Sequence, residues 1–111
     1  MNVRQWSQEP ILVELPPEPQ SVAELKMLVH RVRDRGACDV IVDFRRVGIF
    51  TSASLAELVR LRKLLTDCRH TLTLCRLSAR TKGIFSVTGL DKIFTITDEE
   101  PETWATLAEA K

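Results

Sequence analysis

Apolar positions along the chain switch between two rhythms. Ile11, Leu12, Val13 and Leu15 form a short run closed by Pro16, Pro17 and Pro19; proline brings no amide to a ladder, so the run predicts a strand that stops abruptly. Ser21 followed by Glu24 has capping-box spacing, and Val22, Leu25, Leu28, Val29 and Val32 recur at intervals of three and four. This predicts an amphipathic helix that Gly36 ends. Val40, Ile41, Val42, Asp43 and Phe44 are almost all β-branched or aromatic, the composition of a strand covered on both faces at the centre of a sheet.

After a polar turn comes Thr51, Ser52, Ala53 and Ser54, and then Leu55, Leu58, Val59, Leu61, Leu64 and Leu65 predict a strong helix ending near Arg69. Leu72, Leu74 and Leu77 alternate with Thr71, Thr73 and Arg76 as in a strand. Ser78 can cap a shorter helix carrying Ile84, Phe85 and Val87, which Gly89 ends. Leu90, Ile93, Phe94 and Ile96 predict a last short strand, and Thr97 with Glu100 repeats the capping-box spacing before a terminal helix through Trp104, Leu107 and Ala108. Strands and helices thus alternate from Ile11 onward, which implies an α/β fold with right-handed crossovers and a mainly parallel sheet. At 111 residues the chain is expected to form one domain spanning 1–111.

Composition narrows the function. Sixteen basic and 15 acidic residues leave a formal charge of +1, too little to hold a phosphate backbone or an anionic membrane surface, so neither nucleic acid nor membrane is an expected partner. Local basic clusters, Arg31, Arg33 and Arg35 and again Arg60, Arg62 and Lys63, fall within helical apolar patterns and read as solvated faces. No run has the length of a signal-peptide core or a bilayer span, so a cytosolic location is expected. Cys38, Cys68 and Cys75 show no CxxC spacing and lie beside core segments; they read as buried or half-buried thiols, and no metal site is expected.

No catalytic constellation stands out. Gly36, Gly48, Gly83 and Gly89 form neither GxGxxG nor GxxxxGK, which disfavours a nucleotide loop, and no cofactor is expected. His30, one turn before Asp34, and His70, after a helix, read as surface polar residues, and Asp43 as a solvated strand-end acid. The informative cluster is Thr51, Ser52 and Ser54, between the central strand and the strong helix. Unpaired amides and a positive dipole meet there, so the hydroxyls can cap the helix, hold an anion or carry a phosphate. Ser54 with Glu57 is itself a capping box.

These residues resemble the STAS family, the anti-sigma-factor-antagonist fold. Val40-Ile41-Val42-Asp43-Phe44 leading to Thr51-Ser52-Ala53-Ser54-Leu55 is similar to the family's strand and its Asp-Ser-[Ser/Thr]-Gly-[Leu/Ile] helix start. Leu72-Thr73-Leu74-Cys75-Arg76-Leu77-Ser78 and Gly89-Leu90-Asp91-Lys92-Ile93-Phe94 resemble two later family segments. The resemblance implies a sheet of four or five mixed, mainly parallel strands with about four helices packed mostly on one side. It further implies a non-enzymatic module that docks to an anti-sigma factor, a serine kinase of the ATPase fold, and is switched by phosphorylation at the motif's first serine. By position that serine is Ser52, with Thr51 a second candidate. A phosphate there adds about two negative charges at the docking surface.

The short signature is matched at Ser52 and Leu55, while Thr51 replaces its aspartate, Ala53 its second hydroxyl and Ser54 its glycine. The implied docking surface comprises Thr51, Ser52, Ala53 and Ser54, with Glu57, Arg60 and Lys63 as a polar rim. A second reading is a constitutive docking subunit, either a signalling scaffold or an accessory subunit bound to the ATPase of an ABC-type transporter. Weak pairing into a homodimer is compatible with both. A small-ligand protein or enzyme rests only on Asp43 and the anion-friendly helix start.

Overall fold

The computed structural model describes residues 10–36 and 38–98. Four strands, β1 (Ile11–Glu14), β2 (Val40–Asp43), β3 (Leu72–Cys75) and β4 (Thr95–Thr97), alternate with three helices, α1 (Gln20–Arg35), α2 (Ser52–Asp67) and α3 (Ala79–Thr88). The sheet runs β1-β2-β3-β4, and every pairing is parallel, with Val40 opposite both Ile11 and Leu72. The five-strand and mixed options are thus not taken up among the described residues, and the expected terminal helix through Trp104 lies outside them.

Sequential strand order decides where the helices go. Right-handed crossovers that always step to the next strand swing the same way, so all three helices fall on one face. The core agrees: Val40, Val42, Leu72 and Leu74 from the sheet are buried in one cluster with Leu25 from α1, Leu58 from α2 and Phe85 from α3. Edge strand β1 alternates, with Ile11 and Val13 half-buried and Leu12 and Glu14 exposed, whereas all four residues of β2 are buried. Helix α1 buries Leu25, Leu28, Val29 and Val32, and α2 buries Leu58, Leu61 and Leu65, the spacing that keeps one stripe inward.

Three local expectations are corrected. Helix α1 starts after Pro19 without a side-chain cap; Ser21 is instead fully buried, and its Oγ lies 3.0 Å from Ser54 Oγ. Leu90 to Phe94 do not form a strand. Gly89 takes the left-handed conformation (φ 78°) that ends α3, and Leu90 O then accepts from the Ile93 and Phe94 amides, coiling the segment into a 3-10 turn at Leu90–Lys92. This tucks Phe94 beside Phe85, 5.6 Å between ring centres, and delays β4 to Thr95–Thr97. Finally, Cys38 and Cys75 are buried but Cys68 is exposed.

Leu58 is fully buried at the centre of α2, so Leu58→Ala is expected to cost about 2–5 kcal/mol in urea unfolding. Val87, 89% exposed on α3, should give a Val87→Ala change within about 0.5 kcal/mol. Equal losses at the two positions would contradict this packing.

Candidate functional site

The β2–α2 turn is built on the end of the central strand. Asp43 is buried at 3% exposure, not solvated as its strand-end position suggests, because its carboxylate is used within the turn. Its Oδ1 accepts from the Arg45 amide at 2.9 Å, while its backbone carbonyl accepts from the Leu15 amide. Phe44 N–H donates to the Cys75 carbonyl, and the Val47 amide closes back on Phe44 O. Phe50 packs edge-on to Phe44 at 5.2 Å and tilted against Phe85 at 6.4 Å. Aromatic contacts therefore fasten the turn to β2 on one side and to α3 on the other.

Helix α2 begins immediately after this anchor. Thr51 is its N-cap, with Oγ1 accepting from the Ser54 amide at 3.2 Å; the expected Ser54–Glu57 capping box does not form. A carboxylate from the loop before α1 takes over this helix start. Glu18 Oε2 accepts from the Thr51 amide at 3.0 Å, the Thr51 hydroxyl at 3.0 Å and the Ser54 hydroxyl at 2.6 Å. Glu18 Oε1 is buried without a hydrogen-bond partner among the described residues. Burial alone pushes the Glu18 carboxyl up, but the hydroxyls of Ser21 and Ser54 and the amide and hydroxyl of Thr51 together outweigh it and hold it below its ordinary value. A negative group at a helix N-terminus is favoured for the same reason.

The hydroxyls expected to act together are therefore separated by environment. Thr51 is exposed, yet its hydroxyl is committed to both Glu18 and the Ser54 amide. Ser54 is fully buried. Ser52 is exposed, and its hydroxyl engages no partner among the described residues. Along α2, Ala53, Arg60 and Lys63 are exposed as expected, and Lys63 lies 3.8 Å from Asp67. Glu57 is not: at 7% exposure it folds inward and pairs with Arg60 at 3.0 Å. Ala56 and Val59 are exposed on this helix, although Val59 belongs to the apolar pattern that predicts it.

Beside Ser52 is a pocket of about 160 Å³ lined by Phe50, Thr51, Ser52, Leu55, Thr81, Ile84 and Phe85. Ile84 on its rim is 43% exposed, and Ile49 and Val87 are more exposed still. The other candidates lie elsewhere. His70 is half-buried and its Nδ1 lies 3.1 Å from Asp39, so it is held by a carboxylate and not by a helix terminus alone. Arg62 donates to the Ile93 carbonyl and lies over Phe94. Burial, with Asp39 adding to it, pushes the Cys38 thiol up, the opposite of what a nucleophile needs. Among the described residues no group of three or more His, Cys, Asp or Glu side chains is placed to hold a metal ion, and no helix is long and apolar enough to cross a membrane.

The STAS domain profile matches residues 19–110. The chain belongs to the STAS family. Solved structures agree with the STAS assignment at the level of fold. A candidate anti-sigma factor antagonist from Thermotoga maritima superposes with a TM-score of 0.71 at 16% identity, covering 87% of this chain and 86% of its own. An anti-sigma-factor antagonist (STAS) domain protein from Planctomyces limnophilus gives 0.69 at 19% identity, covering 87% and 89%. The anti-sigma factor antagonist SpoIIAA in its unphosphorylated form gives 0.70 at 13% identity, covering 93% and 92%. No curated protein matches in a sequence search.

Thr51→Ala removes the cap of α2 and is expected to cost about 0.5–2 kcal/mol. Because the folded pKa of Glu18 is depressed, its contribution is complete above the ordinary glutamate range and is lost as pH falls through the folded value. Thermal unfolding of Glu18→Gln across the acidic range should lack that part of the acid-side decline. Parallel curves for the variant and the parent would show that Glu18 adds no pH-dependent stability.

Proposed function

We propose that this STAS domain is a regulatory docking module that presents the start of α2 to a protein partner and is switched by phosphorylation of Ser52. The observation that carries this reading is the division of labour in the turn: Thr51 and Ser54 are engaged in holding Glu18, while the Ser52 hydroxyl stands exposed at the first position of the helix. Beside it, the pocket with Ile84 on its rim is an apolar centre, and the exposed Ile49 and Val87 add apolar surface. Arg60 and Lys63 further along α2 supply charge, in keeping with the apolar-centre, polar-rim layout of a protein interface.

On this reading the partner is an anti-sigma factor that is also a serine kinase of the ATPase fold, and the module acts in the cytosol, upstream of transcription. Phosphoryl transfer would form the Oγ–P bond at Ser52, break the bond from the γ-phosphorus to the bridging oxygen of ATP, and release ADP and the serine proton. A phosphate there brings about two negative charges and three acceptor oxygens into a fitted contact, which ends or reshapes docking. Replacement of the signature's aspartate, second hydroxyl and glycine by Thr51, Ala53 and Ser54 supports a second reading, a constitutive docking subunit of a scaffold or of an ABC-type transporter ATPase.

Incubation with the cognate serine kinase and ATP is expected to add one phosphate by intact mass, and Ser52→Ala should abolish it. An unmodified parent protein would defeat the switch and leave constitutive docking. In binding assays with the purified kinase, Val87→Asp is expected to weaken docking at least tenfold, about 1.4 kcal/mol, with its melting temperature unchanged.

A further inference from the structure

The site holds a carboxylate that the short signature did not point to. Glu18 lies on a different segment from Ser52, yet one of its oxygens receives three hydrogen bonds, two from Thr51 and one from Ser54. The residue next in chain to its main donor is Ser52. Among the described residues, the only charged group in this constellation is Glu18 itself: Thr51, Ser54 and Ser21 meet it with an amide and hydroxyls, and no described cation is among the groups that shift it. A phosphate on Ser52 would therefore arrive next in chain to the main donor of a carboxylate that no positive side chain among the described residues neutralises.

We propose that Glu18 is a positioning residue for the Ser52 switch: in the unmodified protein it pins the loop of residues 15–19 to the start of α2, and a phosphate on Ser52 expels it. This rests on the reading of Ser52 as the phosphoacceptor. Like charges at close range repel, and the phosphate also gains from the same amide-rich helix end that Glu18 occupies. The three hydrogen bonds converge on a single oxygen while the other is buried without a partner, so a rival anion does not have to displace a fully satisfied group. The loop is tied at its other end, where the Leu15 amide donates to Asp43 O, so release at Glu18 swings the proline-rich segment about a fixed point. The modification thus changes the shape of a second segment as well as the charge at Ser52. Glu18 also keeps Thr51 and Ser54 occupied, which confines modification to Ser52.

The test installs phosphoserine at position 52 of the full chain by codon reassignment, so that it needs no kinase. In the unmodified protein, cross-relaxation between the Glu18 side chain and the Thr51 amide should be visible by NMR, and the Thr51 amide should exchange slowly. With phosphate on Ser52 the cross-peak should vanish and the Thr51 amide should exchange about tenfold faster, the scale set by like charges at a protein surface. Glu18→Gln keeps an acceptor but removes the charge, so phosphate on Ser52 should leave its cross-peak and exchange rate nearly unchanged. Persistence of the cross-peak in the phosphorylated parent would overturn the proposal, as would an equal acceleration in Glu18→Gln. If a cognate kinase fails to modify Ser52, the functional reading fails while this measurement still decides the role of Glu18.

Discussion

One carboxylate oxygen joins two segments of this molecule that lie 33 residues apart in the chain. Glu18 Oε2 takes the Thr51 amide, the Thr51 hydroxyl and the Ser54 hydroxyl, and Ser54 in turn lies against Ser21 in α1. Without this junction the start of α2 would expose unpaired amides, and the first turns of the two adjacent helices would have no polar tie between them. Burying Ser21 and Ser54 completely is acceptable only because each finds a hydroxyl or carboxylate there. The exposure of Ser52 follows from the same junction, since its two neighbours in the motif are turned to other tasks.

Beneath this polar knot the apolar scaffold fixes where it sits. Consecutive parallel strands put every helix on one face, and β2, covered on both sides, ends where the turn begins. The chain of rings from Phe44 through Phe50 and Phe85 to Phe94 runs under that turn and along α3. The proposed docking face is thus a corner of the core, and two of the same rings, Phe50 and Phe85, line its pocket.

Much of this was legible in the sequence, because burial on one face leaves a period. The runs around Leu25, Val40, Leu58 and Leu72 marked their elements, and the STAS resemblance placed Ser52 at the head of α2. What stayed hidden depends on contacts between distant segments. Ser21 and Ser54 both carried capping-box spacing, but they face each other in the interior. Glu57 read as a rim charge and is buried against the helix, and Asp43 read as solvated and is buried in the turn. Glu18 sat among prolines with no periodic signal at all. The Leu90 to Phe94 stretch was apolar enough for a strand, and only the left-handed Gly89 and the coil after it reveal why it is not one.

The chain-order arrangement of the sheet carries a further consequence for how the protein comes into being. Ile11 pairs with Val40, Val40 with Leu72, and Thr73 with Thr95, so each strand needs only the one already laid down before it. No early segment must wait for a distant late one, which keeps loop-closure costs modest. Assembly can track synthesis from the ribosome strand by strand, and the Glu18 junction can close as soon as α2 has emerged.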